Sequence, residues 1–226
     1  MKTRWYVLLF MLAIVLLAVS GGVRYVRRVR PVILISTITV QNTLDSQHKD
    51  THFLEVYDRD KVEGSCSGTV VGPHAILTAQ HCFLNSNRIR LDDDKKVTQI
   101  YAVLLDGSDH VIYMVDRTFT SWAGVSERPL IPNESVHMWG NPGKSRDIYR
   151  DGYFKEYTNV KEVDALGWKR PTQIFILPVY RGDSGSAIFD SSGSIIAVVS
   201  MSNEYVINWN LPLSFTQEQL NVAAGR

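Results

Sequence analysis

The chain has 226 residues, of which 45% are hydrophobic and 21% charged, and its formal net charge at pH 7 is +1. This length and apolar content suffice for a folded domain with a substantial core, and they exclude an intrinsically disordered chain. The near-zero net charge argues against a nucleic-acid-binding protein, so we expect no nucleic-acid partner.

The N-terminal segment "MKTRWYVLLFMLAIVLLAVSGGVRYVRRVR" holds six of the 24 Lys and Arg residues and no acid. Residues 5–23 carry no charge, and a helix over 5–25 would be about 30 Å long, which matches the hydrocarbon core of a bilayer. Trp5, Tyr6 and Tyr25 would lie at its two ends, where interfacial aromatic residues occur. We therefore predict an N-terminal hydrophobic helix within residues 1–23 that anchors the chain in a membrane.

Two other interpretations of this segment stay open. A cleaved signal peptide fits because residues 6–19 are apolar and Ala18-Val19-Ser20 has the small-x-small pattern of a cleavage site. A buried core helix is less favoured, since every face is apolar and both flanks are basic. The four arginines that follow the segment would place the body in the cytoplasm by the positive-inside rule, against the cysteine argument given below.

Residues 24–50 are predicted to form a juxtamembrane connector with one strand, "PVILISTITV" (31–40). Short strand-like runs separated by turn signals follow, and this spacing predicts an all-β sandwich or barrel. The one helix expected downstream of residue 50 is C-terminal. It begins with the capping box Thr216–Gln219 and ends at Gly225. The strand-like runs are 52–58, 67–72, 75–79, 97–106, 110–116, 134–140, 172–179, 186–190, 194–201 and 204–211.

The stretch "YRGDSGSAIF" (180–189) places Ser184 between two glycines and after an aspartate. Two glycines so close together cost conformational entropy on folding, which indicates that the tight turn is needed here. Ser184 is therefore either a nucleophile or only a turn residue. A serine nucleophile needs a base within hydrogen-bond reach and a third group that orients the base. Of the six histidines, His81 stands out because it ends a strand pair, "CSGTVVGPHAILTAQHC". The others lie in loops, after a turn or within strand-like runs.

Several motifs together resemble the chymotrypsin/trypsin-like serine protease family: "CSGTVV", "TAQHC", "GDSGSAIF" and "AVVSMSN". The resemblance extends over about residues 52–213, and "VHMWGNPG" and "VINWNLPLS" look closer to its bacterial Deg-type and glutamyl-endopeptidase branches. It implies two six-stranded antiparallel β-barrels in a protease domain over 51–226, after the N-terminal helix and with a short C-terminal helix. It also implies a serine endopeptidase that cleaves polypeptides.

The resemblance assigns roles to individual residues. Ser184 would be the nucleophile, His81 the general base, and the backbone N–H groups of Gly182 and Ser184 the oxyanion hole. Asp109 would be the third member of the triad, because it opens the apolar strand "DHVIYMVD" as the family's aspartate does. Asp106 is the next candidate, although its position before Gly107 indicates a turn residue.

The only two cysteines, Cys66 and Cys82, are 16 positions apart, the separation of the family's disulfide around the catalytic histidine. By closing this loop, such a bond would stabilise the folded chain by roughly 3 kcal/mol in the chain-entropy model. It would also indicate an oxidising compartment, so we place the protease domain on the extracytoplasmic side of the membrane. Zinc binding by these cysteines lacks a tetrahedral spacing pattern, so no metal or cofactor is expected.

The resemblance also implies a substrate pocket, with Pro178 at its floor. The pocket would be lined by Pro178, Val179, Val199, Ser200 and Ser202. No acidic residue occupies the floor, so the side chain before the cleaved bond (P1) is expected to be apolar or small. Trypsins are activated when a new N-terminal amine pairs with the aspartate beside the serine. Because no such activation sequence is present, Asp183 needs another partner, for which Arg181 is our suggestion.

Two further functions remain possible from the sequence. The chain could be a protease-like binding module without activity, which the complete triad and glycine pair argue against. It could also be a processing protease encoded by a virus or phage. Its expected partners are a polypeptide substrate and, through residues 5–23, a membrane.

Overall fold

The computed structural model describes residues 47–58, 61–82, 87–92, 94, 96–158, 171–202 and 206–226. The anchor or signal peptide predicted for residues 1–23 lies outside these ranges, as does most of the connector 24–50. Within the described ranges, no helix is both long and apolar enough to cross a bilayer. The described residues belong to one unit, Asp45–Arg226.

Six antiparallel strands close into a barrel in the order β1-β2-β3-β6-β5-β4. Strands β3 and β6 pair side by side, and every residue of both is buried. Their apolar runs, "AILTA" and "HVIYMV", are typical of strands that are covered on both faces. The six strands are β1 (Thr51–Asp58), β2 (Lys61–Gly72), β3 (Ala75–Ala79), β4 (Arg88–Leu91), β5 (Val97–Leu105) and β6 (His110–Val115).

Seven antiparallel strands form a second sheet in the order β11-β10-β7-β8-β9-β13-β12. Its own core includes Met138, Phe154, Phe175 and Ile188, all fully buried. The strands are β7 (Ser135–Gly140), β8 (Ile148–Thr158), β9 (Thr172–Ile176), β10 (Ala187–Asp190), β11 (Ile195–Val198), β12 (Met201–Ser202) and β13 (Ile207–Asn210).

The barrel and the second sheet share a hydrophobic core. Alternate side chains of β3 and β6 divide between two clusters, as the two-residue period of a strand requires. Ile76 and Tyr113 fill the barrel, whereas Leu77 and Ile112 pack against Phe189 of the second sheet. The ends of these strands, which carry the candidate catalytic residues, are thereby held beside the start of β10.

The prediction of two six-stranded barrels is right for the first and wrong for the second, which has seven strands and stays open. Its two edge strands, β11 and β12, are consecutive in the chain and are separated only by Val199 and Ser200. Val199 instead exchanges backbone hydrogen bonds with the turn over residues 180–186, here called the serine turn, donating to Ser186 and accepting from Gly185, both at 2.9 Å. The Ser200 N–H donates to the Asn210 side chain at 2.8 Å, so the ladder is interrupted here.

Every strand-like run predicted downstream of residue 51 contains a strand, but β4 and β8 are missing from the sequence prediction. Strand β4, "RIRL", alternates charged and apolar residues, with Ile89 and Leu91 buried, but this pattern spans only four residues and the sequence prediction overlooked it. Strand β8, "IYRDGYFKEYT", has one buried residue, Phe154, and is otherwise mostly exposed. Alternation of apolar and polar residues reports one-sided burial, so a largely exposed strand leaves little signal.

The predicted C-terminal helix is confirmed as α1 (Gln217–Ala223). The Thr216 hydroxyl accepts from Gln219 N at 3.2 Å, and the Gln219 side chain accepts from Thr216 N at 2.8 Å, which is the expected capping box. The amide of Gln219 also donates to Leu105 O at 2.9 Å. This bond attaches the helix to the end of β5, just before the loop that carries Asp109.

Candidate active site

Four histidines in the described part of the chain pair with an aspartate, so pairing alone does not identify a catalytic base. A general base needs an imidazole that a substrate can reach and a shielded carboxylate that orients it. Only His81–Asp109 among the described pairs meets both conditions, since the His81 side chain is 45% exposed and the Asp109 side chain 9%. The other pairs are His48–Asp147 and His52–Asp92, whose carboxylates are exposed, and His110–Asp106, which is wholly buried.

Asp109 holds His81 by two hydrogen bonds. Its Oδ2 lies 2.8 Å from His81 Nδ1, and its Oδ1 accepts from the His81 backbone N–H at 3.0 Å. His81 lies in a short 3-10 turn directly after β3, and Asp109 directly precedes β6. Because Ala79 and His110 are partners in the β3–β6 ladder, the sheet itself sets the separation of the two side chains. A carboxylate on Nδ1 favours a proton there, which leaves Nε2 as the basic nitrogen.

Ser184 lies in the turn that leads into β10, on the side that faces the barrel. Its carbonyl accepts from the Ser67 N–H of β2 at 2.7 Å and lies 3.9 Å from Cys82 Sγ. Cys82 directly follows His81 in the chain. The serine turn and the 3-10 turn that carries His81 are therefore neighbours.

The backbone of the serine turn presents two N–H groups. Those of Gly182 and Ser184 donate to no acceptor in the described part of the chain, whereas the Asp183 N–H between them donates to Tyr180 O at 3.0 Å. Gly182 has φ +102°, and a Cβ there would lie 2.6 Å from Asn141 O, so only glycine fits. Two unused donors on either side of an occupied one suit the stabilisation of an oxyanion.

A disulfide joins Cys66 and Cys82, as predicted, with their Cα atoms 6.3 Å apart. It ties β2 to the turn that carries His81. Within the described ranges, no group of three or more His, Cys, Asp or Glu side chains could hold a metal ion. The extracytoplasmic location inferred from this bond stays a prediction.

Asp183 is fully buried, and its partner is Arg150 on β8 rather than the suggested Arg181. Arg150 Nη1 and Nη2 donate to the two carboxylate oxygens at 2.6 Å each, and Tyr180 N donates at 2.8 Å. Gly140 makes room for the pair, since a Cβ there would collide with both side chains. The guanidinium thus occupies the place where the trypsin resemblance implies an N-terminal amine.

The five predicted pocket residues lie on two segments next to the serine turn. Val179 and Val199 are buried, 1% and 3% exposed, and belong to the core of the second sheet. Pro178, Ser200 and Ser202 are partly exposed. The hydrogen bonds of Val199 to residues 185 and 186 bring its segment directly beside Ser184. The identity of these residues as a pocket stays a prediction.

Asp106, the second candidate for the triad, pairs with His110 and not with His81. Its Oδ2 lies 2.7 Å from His110 Nδ1, and both side chains are fully buried. Burial would raise the pKa of Asp106, but the hydrogen bond and charge of His110, with two bonds from Ser108, outweigh it and lower the pKa to about 2. Ser214 N also donates to this carboxylate at 3.2 Å, so Asp106 is a structural link to the C-terminal segment.

Three residues of the site were missed from the sequence: Arg150, Asn141 and Ser67. The Ser67 hydroxyl donates to Gly182 O and accepts from the Asn141 side chain, both at 3.0 Å. The motif "CSGTVV" contains Ser67 but does not show what its hydroxyl contacts. An aspartate buried beside the serine needs a cationic partner, and this is the one sequence signal that could have indicated an arginine such as Arg150.

The comparisons with known proteins concern the family and the fold of the chain. Residues 66–198 match the family model of the trypsin-like peptidase domain. The active form of the Rv3671c protease from M. tuberculosis is similar in structure, with a TM-score of 0.63 and 19% identity over 79% of this chain and 82% of that one. The serine endoprotease from Yersinia pestis has a TM-score of 0.59 and 16% identity over 76% of this chain and 62% of that one.

The HtrA-type protease AlgW with a tripeptide has a TM-score of 0.61 and 16% identity, over 81% of this chain and 62% of that one. No curated protein sequence matches the chain significantly. At these identities the solved structures show a shared fold, whereas the family model covers more than half of the chain and includes His81, Asp109 and Ser184. The chain therefore belongs to the family of trypsin-like peptidase domains and is a serine endopeptidase.

Proposed function

We propose that this protein hydrolyses peptide bonds with Ser184 as nucleophile, His81 as general base and acid, and Asp109 as the group that orients the imidazole. The observation that carries the proposal is the His81–Asp109 pair, in which a shielded carboxylate holds an exposed imidazole. The next residue, Cys82, has its Sγ 3.9 Å from Ser184 O. AlgW was solved with a tripeptide, which supports a polypeptide substrate here.

The mechanism follows from these positions. Ser184 Oγ attacks the carbonyl carbon of the scissile bond while His81 Nε2 takes the hydroxyl proton. The C–N bond then breaks, the proton passes from Nε2 to the leaving amine, and the acyl group stays on Ser184 Oγ. Water, deprotonated by His81, then attacks the ester, and the acid is released as the proton passes from His81 to Ser184 Oγ, which restores the free serine. Asp109 accepts from Nδ1–H throughout and stabilises the imidazolium that forms in each half-reaction.

The negative charge that develops on the carbonyl oxygen needs donors that are already in place. The unused N–H groups of Gly182 and Ser184 are the proposed donors. They cost no reorganisation because the turn is held from behind by the Asp183–Arg150 pair. One preorganised donor of this kind is typically worth about 3 kcal/mol of barrier.

Chemical labelling of Ser184 tests the proposal. A fluorophosphonate probe, in which serine oxygen displaces fluoride from phosphorus, should label the wild-type protein at Ser184 and leave Ser184→Ala unlabelled. Ser192→Ala, in the exposed turn between β10 and β11, is the matched control and should label at the wild-type rate. Equal labelling of Ser184→Ala, or none of the wild type, would leave the inactive binding module as the better interpretation.

We further propose that the P1 side chain is apolar or small. Pro178 stands at the predicted pocket floor, and the neighbouring Val179 and Val199 are apolar and buried. None of the predicted pocket residues has a carboxylate that could pair with a positively charged P1 side chain. Profiling with a peptide library should show cleavage after Ala, Val or Leu at least about 10-fold faster than after Lys or Arg, by the cost of burying an unpaired charge. Preferred cleavage after Arg would refute this assignment.

A further inference from the structure

The orientation of one peptide unit decides whether the proposed oxyanion hole exists. In a trans peptide the C=O and N–H groups point in opposite directions. The Arg181 carbonyl accepts from Gly143 N at 2.8 Å and so points toward the loop that spans residues 141–147, here called the 141–147 loop. The Gly182 N–H must then point away from this loop, toward the substrate side.

A second contact holds the next carbonyl of the turn. Gly182 O accepts from Ser67 Oγ at 3.0 Å, and Ser67 Oγ lies 3.0 Å from Asn141 Nδ2. A hydroxyl has a single proton, so Ser67 donates to Gly182 O and accepts from Asn141. Both side chains are buried, with Ser67 0% and Asn141 1% exposed, which makes an unpaired group here costly.

The side chain of Asn141 also shapes the loop. Its Oδ1 accepts from Asp147 N at 3.3 Å, and this bond assigns oxygen to the loop side of the amide and nitrogen to the Ser67 side. In the chain, Asn141 directly precedes the short 3-10 turn Pro142–Lys144, which contains the Gly143 N–H that bonds Arg181 O. One amide therefore supports both contacts that orient the serine turn.

Glycine at position 182 makes such support necessary. With no side chain and φ +102°, the Arg181–Gly182 peptide can rotate at little steric cost. Rotation would direct a carbonyl oxygen to where the N–H donor stood, and an acceptor there repels an oxyanion. We propose that Asn141 and Ser67 are positioning residues that hold the serine turn with its N–H groups toward the substrate. This inference rests on the proposed function and goes beyond the triad.

Substitutions that change single groups in the bonded series Asn141–Ser67–Gly182 test the inference. Asn141→Asp keeps the acceptor for Asp147 N but removes the donor to Ser67, so the Ser67 proton turns toward the new carboxylate and Gly182 O loses its partner. Ser67→Ala removes the hydroxyl itself. Each variant should lower kcat about 10-fold with KM changed less than about twofold, below the roughly 10²-fold of a deleted oxyanion donor. The double variant should lose little more, since both act on one chain of bonds.

The affinity for a peptide aldehyde distinguishes positioning from a general loss of structure. Ser184 Oγ adds to the aldehyde carbon, its proton passes to His81 Nε2, and the aldehyde oxygen becomes an oxyanion between the proposed donors. The inhibition constant should therefore rise by the same factor as kcat falls. Ser145→Ala, exposed on the same loop, is the control and should behave as wild type. Ser67→Gly serves as a second hydroxyl deletion if Ser67→Ala fails to fold.

The outcomes separate this inference from the proposed function. Unchanged kcat and aldehyde affinity in Asn141→Asp and Ser67→Ala, with wild-type labelling of Ser184, would overturn the positioning role alone. Absence of Ser184 labelling in the wild type would instead overturn the proposed function. A fall in kcat without a matching loss of aldehyde affinity would also count against the positioning role, because the effect would then lie outside the oxyanion hole.

Discussion

Replacing Asp109 with asparagine is expected to lower kcat about 10⁴-fold, the scale of a triad that is locked in the wrong tautomer. The asparagine oxygen can still accept from the His81 backbone N–H, as Asp109 Oδ1 does. Its NH₂ group would then face His81 Nδ1 and donate to it, which moves the imidazole proton to Nε2. A protonated Nε2 cannot take the proton of Ser184, so the nucleophile stays neutral. The measurement is kcat on a chromogenic peptide substrate at neutral pH.

Asp106→Asn is the matched control, because Asp106 is three residues away and also bonds a histidine. It should leave kcat near the wild-type value but lower the free energy of unfolding by about 2 kcal/mol. This energy corresponds to the lowering of the Asp106 pKa from the ordinary 3.8 to about 2 in the folded protein. A lowered folded pKa stabilises at pH above 3.8 and the effect disappears as the pH falls through about 2. A 10⁴-fold loss in Asp106→Asn with none in Asp109→Asn would show that the third residue is assigned wrongly.

The pairing of His81 with Asp109 could be predicted from the sequence, through the family resemblance and through the clear strand patterns beside the two residues. A base has to follow a rigid strand, and His81 follows "AILTA", every residue of which is buried. The orienting carboxylate has to open the neighbouring strand, and Asp109 precedes "HVIYMV", which is buried throughout. Local signals of this kind survive in a linear sequence because each residue is defined by the strand beside it.

The supporting residues could not be predicted, because they are defined by contacts distant in the chain. Arg150 reaches Asp183 through the register of β7 and β8, in which Met138 faces Arg150. That register belongs to a strand with little apolar alternation, so neither the strand nor the arginine has a sequence signal. Ser67 and Asn141 are 74 positions apart and meet only where the barrel contacts the second sheet.

The opening of the second sheet could not be predicted either, because it also depends on contacts distant in the chain. The residues of "SIIAVVSM" read as one continuous strand, and alternation predicts nothing about where its hydrogen bonds go. In the structure the Ser200 N–H bonds a buried asparagine side chain, Asn210, and Val199 pairs with the serine turn. The strand is therefore divided at the place where its backbone supports the candidate active site.

Replacement of Arg150 is expected to cause the largest loss of stability in the site. Its guanidinium makes two hydrogen bonds of 2.6 Å to a carboxylate that is 0% exposed. Arg150→Met would leave Asp183 charged and buried, with Tyr180 N as its remaining donor among the described residues, at a cost of about 3–5 kcal/mol. Because Asp183 lies between the two proposed oxyanion donors, kcat should fall as well, by at least about 10-fold. Urea unfolding and kcat on a peptide substrate measure the two effects.

The double variant Arg150→Met/Asp183→Asn separates a buried charge from lost packing. Removing the second charge should restore part of the stability that the single variant loses, since a neutral amide costs less to bury than a carboxylate. Arg150 also occupies the place of the N-terminal amine in trypsins, so acetylation of the N-terminus should leave kcat unchanged. Loss of activity on acetylation, or equal stability of Arg150→Met and wild type, would mean that the serine turn is held by something other than this ion pair.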